Sequence, residues 1–313
     1  MISSLLPRYI VAALFTTVAA GTWDAWWHGA LGRESFWSPP HILLYTSVLL
    51  AITLGIYGWY RTRERLWRRL AIFLALVPAS APFDELWHRT FGIETPASPI
   101  IVWSPPHVIL IAAVAGSLLL LLPVLRKDEN RDAQRLFGSL IFASTLILFM
   151  FLAAPLQPTG PYELIGFWGA GVLAAIFVGV LLAARTWIPG IGGAVTTALA
   201  YITILSISLG ERIASGVNVP PHEHAPPWLL VFSIMIPALF IDLFPRLNGW
   251  MRGMIAGLMW SLILYGVAWM FFAPRFQYSL VDGMTGIIAS AAGGLFAGFT
   301  IKPRSTSELI RVP

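Results

Sequence analysis

Ten stretches of the chain are each apolar over the length that a helix needs to cross bilayer hydrocarbon, about 20 residues. They fall near residues 9–28, 39–60, 70–88, 105–125, 136–156, 163–184, 190–211, 227–245, 251–273 and 283–301. No other feature limits the fold as much. Backbone inside lipid must satisfy its own N–H and C=O groups, which only helices and closed barrels do. Continuous apolar runs of this length, without alternation, select helices. Composition points the same way: of 313 residues, 57% are hydrophobic and only 11% charged, too little charge for a soluble domain of this size. The sequence therefore predicts an all-α, polytopic integral membrane bundle of about ten transmembrane helices, one domain over 1–313.

Charge sets the expected topology. The loops at 61–69 and 126–135 and the tail after 301 are rich in Arg and Lys, and Arg8, Arg185, Arg246 and Arg252 fall on the same side. The positive-inside rule places them, and both termini, in the cytoplasm, which puts residues 29–38 and 95–103 outside. A plasma membrane of prokaryotic type is the expected location. The first apolar run also has the look of a signal peptide, but its end matches the end of the third run residue for residue, so it is read as a retained helix. The net charge of +5 lies in short loops and forms no groove-sized patch, so no nucleic-acid partner is expected. The chain has no Cys, which excludes disulfides, thiolate metal sites and iron–sulfur clusters.

A chain so poor in polar residues nonetheless repeats one polar pattern. DAWWHGALGRESFWSPPH ends at His41, and DELWHRTFGIETPASPIIVWSPPH ends at His107. Asp24/Asp84, Trp27/Trp87, His28/His88, Gly32/Gly92 and Glu34/Glu94 are matched at an offset of 60, and Trp37/Trp103 through His41/His107 at an offset of 66. One short insertion separates the two offsets. The pattern makes 9–60 and 70–125 a duplicated helical hairpin, related by rotation about the membrane normal, with 136–301 as remaining scaffold or cavity wall.

The spacing is geometry. Asp24 and His28, like Asp84 and His88, are four apart and project from one helical face. Ser38 and Ser104 precede Pro-Pro-His, which reads as a helix start with Ser at the N-cap, Pro at N1 and His41 or His107 in the first turn. Each copy thus brings Asp and His from one helix end toward His from the next helix start. A carboxylate at a helix C-terminus faces the unfavourable end of the dipole, and an ionisable group near hydrocarbon needs a partner. Two imidazoles and one carboxylate suit copper, zinc or non-haem iron, and three ligands leave a position open. Asp24, His28 and His41, and Asp84, His88 and His107, are the candidate metal ligands. The plainer account, Asp–His hydrogen bonds in a structural network, explains one copy better than two.

Other residues rank lower. Glu34 and Glu94 are read equally as second partners orienting His and as interfacial charges. His222 and His224 follow a third Pro-Pro in an outside loop; they are candidate extra ligands brought to the same site by a later hairpin, and a metal-scavenging or plain polar loop is the slightly preferred reading. Trp23, Trp26, Trp27, Trp37, Trp87 and Trp103 are read as an aromatic belt.

Asp24, Trp27, His28, Ser38, Pro39 and His41, in the spacing Asp-x3-His-x12-His, resemble the metal motif in the C subunit of copper membrane monooxygenases, the family of particulate methane and ammonia monooxygenases. Asp84, His88 and His107 correspond to that family's neighbouring site. The resemblance covers residues 20–110 and implies copper ligation near the outer face, with oxygen-dependent oxidation of a small apolar substrate. Asp84 stands where the family has Asn, the His88–His107 separation is longer, and no cupredoxin-like domain is present. The residues leave three functions open: a copper oxidoreductase, a non-catalytic copper or zinc protein for uptake, storage or delivery, and a zinc-dependent membrane hydrolase. The bilayer is the expected partner, and homo- or hetero-oligomerisation within it stays open.

Overall fold

The computed structural model describes residues 2–31, 37–92, 102–153, 164–214, 227–267 and 280–301. Among them every regular element is helical: α1 (Ile2–Leu31), α2 (Pro39–Thr62), α3 (Arg65–Phe91), α4 (Pro105–Leu125), α5 (Arg131–Leu152), α6 (Leu164–Trp187), α7 (Gly193–Ala214), α8 (Pro227–Leu243), α9 (Gly249–Ser261), a π-helical turn (Leu262–Val267) and α10 (Leu280–Thr300). Seven helices are long and apolar enough to cross a membrane; the apolar parts of α7, α8 and α9 among the described residues are shorter. Helices outrun the apolar stretches that announce them. Hydropathy marks the hydrocarbon, whereas Arg65, Arg68 and Arg69 before it and Arg89 after it continue α3 without breaking it.

Two compact units make up the chain: 1–155 with 200–218, and 156–199 with 219–313. In the first unit α1 packs on α2, α2 on α3, α3 on α4 and α4 on α5, while α1 also reaches α4 and α5. The link between α2 and α3 is two residues, closed by Arg63 in the left-handed region at φ 57°. Gly58 lets the Trp67 ring seat against α2, since a Cβ there would stand 2.6 Å from the ring. Thr17 and Ser47 share a buried 2.9 Å hydrogen bond between α1 and α2. Inside α3, Pro78 and Pro82 sit one turn apart; neither has an N–H for the ladder. At one end of the unit Arg8 grips Asp128 through two hydrogen bonds of 2.8 and 2.7 Å. This fork ties the start of α1 to the α4–α5 turn. Asp128→Ala is therefore expected to lower stability by about 1–3 kcal/mol, as charged hydrogen bonds do. A thermal midpoint unchanged in detergent would show the fork to be ornamental.

The second unit packs α9 and α6 on α10, with α8 against α9 and α6. Small residues make close contacts in it. Gly249, Gly253 and Gly257 on α9 face Gly298, Gly294 and Ser290 on α10, and a Cβ on Gly253 would overlap the carbonyl oxygen of Gly294. In lipid, where apolar side chains gain nothing by leaving the solvent, such close backbone approach is a main source of helix association. Buried charge supplies the other fixed point: Arg185 lies 3.2 Å from Asp242, whose other oxygen accepts the Val195 N–H at 2.9 Å near the start of α7. Arg252 is also buried. Arg185 is part-buried and Arg252 buried in this unit, at positions that sequence analysis places on the cytoplasmic side.

Candidate metal centre

Local chemistry places each ligand. The Ser-Pro-Pro-His stretches start α2 and α4 as expected, with Ser38 and Ser104 at the N-caps and Pro in the first turn. The two caps differ in detail. Ser104 Oγ accepts the His107 N–H at 3.3 Å, whereas Ser38 makes no side-chain cap bond and its hydroxyl is buried without one. On α3 the i, i+4 spacing sets Asp84 and His88 on one face, and the α3–α4 contact brings His107 to them.

The three groups converge. Asp84 Oδ1 lies 3.0 Å from His107 Nε2 and 3.4 Å from His88 Nε2, and one ligand atom from each residue falls within 4.8 Å of the others. The spacing is compatible with a shared metal ion as well as with Asp–His hydrogen bonds. Two atoms each 2.0–2.1 Å from a tetrahedral ion are about 3.3 Å apart, and both contacts bracket that value. Oδ1 itself is buried, and what faces it is the pair of imidazole nitrogens. A buried carboxylate oxygen in that position is satisfied by a positive charge or an N–H donor, which a protonated imidazole or a metal ion can supply. The chemistry of the set, two imidazoles and one carboxylate without thiolate, fits copper, zinc or iron.

The surroundings are apolar and aromatic. His88 and His107 rings stand 5.5 Å apart, Phe151 meets His107 edge-on at 6.4 Å, and Trp87 lies 4.5 Å from Phe91. Both histidines are buried, while the Asp84 side chain is 25% exposed, so the opening to the site lies on the carboxylate side. Second to the ligands, the His88 Nδ1 lies 3.2 Å from the Gly92 carbonyl oxygen. Trp103, matched to Trp37 in the sequence, donates from Nε1 to the Leu152 carbonyl at 2.7 Å and pins the entry of α4 to the end of α5.

In the first copy, Asp24 Oδ1 and His41 Nε2 meet at 3.0 Å, the same atoms at the same distance as Asp84 and His107. His41 stacks on Tyr45 at 5.5 Å, and Trp23 packs edge-on against Trp27 at 6.2 Å. His28 lies in α1, but its side chain falls outside the described residues, as do Glu34, Glu94, His222 and His224. Comparison of the chain with known protein families, characterised proteins and solved structures finds no match.

Proposed function

We propose that this chain is an integral membrane metal protein whose centre is formed by Asp84, His88 and His107, with a second centre at Asp24, His28 and His41. The observation that carries the reading is the buried Asp84 Oδ1 flanked by two Nε2 atoms at 3.0 and 3.4 Å. The duplicated motif and the matching 3.0 Å Asp24–His41 contact support extending it to the first copy. All the ligands fall at the 24–41 and 84–107 ends of their helices, which supports a site rather than a route across the bilayer. Loop charge supports placing that end outside the cytoplasm.

Copper is the metal we propose, on the resemblance of the first motif to copper membrane monooxygenases and on the imidazole-rich donor set. Oxidation of a small apolar substrate that arrives through lipid is the matching activity. A bound copper ion would supply redox and Lewis-acid chemistry. The protein's own part is to hold three donors, leave one position open and set the Phe151 ring against His107.

Elemental analysis of the purified protein, followed by electron paramagnetic resonance, tests this. Copper in the isolated protein, with an imidazole-nitrogen signature that weakens in His107→Ala, is the expected result. Zinc with no paramagnetic signal would move the function to storage, delivery or hydrolysis. No bound metal, and no change in His107→Ala, would leave the duplicated motif a structural network.

A further inference from the structure

We infer that Gly92 is the positioning residue of the centre: its carbonyl oxygen keeps the His88 hydrogen on Nδ1 and so presents Nε2 as the ligand atom. This deepens the metal-centre reading above and rests on it. Gly92 ends α3, where its N–H bonds the His88 carbonyl at 2.9 Å, and its own carbonyl returns to the ring of the same residue at 3.2 Å. A carbonyl only accepts, so this contact is a hydrogen bond only when Nδ1 carries the hydrogen. The neutral ring then has its lone pair on Nε2, which faces Asp84 Oδ1 at 3.4 Å. Without Gly92 the carboxylate would draw the hydrogen to Nε2, which would then have to give it up before binding a metal. Two acceptors compete for one hydrogen from opposite sides of the ring, and the backbone acceptor decides the tautomer.

Glycine is required for its backbone, not its size. Gly92 has φ 94° and ψ 178°, a region that only glycine occupies freely. A Cβ there would meet nothing within 4 Å, so crowding plays no part. That conformation is what turns the carbonyl back onto the ring, and an L-residue relaxing to negative φ would turn it away. The sequence has the same spacing twice, Asp-x3-His-x3-Gly at Asp24, His28 and Gly32 and again at Asp84, His88 and Gly92. A helix stop needs no fixed distance from a histidine; a carbonyl partner for its Nδ1 does.

The test uses full-length protein with 15N-labelled histidine, metal-free and at a pH where the rings are neutral. His88 signals are identified by their loss in His88→Gln. Nitrogen shifts should report the hydrogen on Nδ1 in the wild type and on Nε2 in Gly92→Ala, with His107 unaltered. Affinity for Cu2+ should fall by ~10–100-fold in Gly92→Ala, the range for losing a partner that orients a ligand. A purely structural glycine would lower the thermal midpoint and leave tautomer and affinity as they were, which would overturn the assignment. So would an Nε2 hydrogen in wild-type His88, a result that holds even where Gly92→Ala fails to fold. Because the tautomer is read without metal, wild-type protein that binds no Cu2+ would count against the metal centre and not against the role of Gly92.

Discussion

Asp84→Asn should abolish metal binding at its centre more completely than loss of either histidine, with affinity falling more than ~100-fold, or about 3 kcal/mol. Asp84 is the single anion of the set and the atom that both Nε2 atoms face, at 3.0 and 3.4 Å. A divalent ion left with neutral donors in a medium of low dielectric loses its only close opposite charge, and Coulomb energy there is many times its value in water. His107→Ala removes one neutral donor and leaves room for water, so its loss should be smaller. In the metal-free state Asp84→Asn still removes the one anion that both imidazoles face, so its thermal midpoint without metal should fall below that of the wild type. Calorimetric titration with Cu2+ on the two variants reads the affinities, and thermal melts of the metal-free variants read the midpoints. Wild-type affinity in Asp84→Asn would remove the carboxylate from the ligand set.

The largest structural effect is expected from Gly253→Leu in the second unit. A Cβ on Gly253 would run into the Gly294 carbonyl, and one on Gly294 into the Gly253 carbonyl, so α9 and α10 touch backbone to backbone. Neither side can yield by a rotamer change. Overpacking a core costs about 1–3 kcal/mol where side chains can shift; with backbone on both sides, ~3 kcal/mol or more is expected for Leu, and Ala should already be harmful. Gly283→Ala on the same α10 is the control. A Cβ at Gly283 meets nothing within 4 Å, and Ala in a helix is worth about 0.5–1 kcal/mol over Gly, so that variant should be neutral or more stable. Equal thermal midpoints for Gly253→Leu and Gly283→Ala would refute the close contact.

Local rules made much of this legible. Pro39 and Pro105 mark helix starts because their missing N–H groups fall where a helix has no use for them. The i, i+4 pair of Asp84 and His88 shares a face because a helix turns every 3.6 residues. What escaped sequence reading is chiefly long-range or backbone-level. Arg185 and Asp242 are far apart in the chain, and nothing local announces their 3.2 Å pairing. The π-helical turn at Leu262–Val267 follows an apolar run indistinguishable from ordinary helix. Gly249, Gly253 and Gly257 did carry a visible signal, small residues every fourth position, but hydropathy averages it away. Gly92 was visible as half of a matched pair with Gly32; its carbonyl became a candidate partner only once φ was known.

Pro78 and Pro82 give the centre a mechanical setting. Each leaves the carbonyl four residues earlier without its helical donor, so α3 is missing two rungs, one turn apart, just before Asp84. The terminal part of α3 that carries Asp84, His88 and Gly92 is therefore tied to the rest of its helix by fewer backbone bonds than an unbroken helix would supply. An ion joining Asp84 and His88 to His107 at the start of α4 would act there as a rivet, setting the angle of a segment that its own helix leaves under-determined.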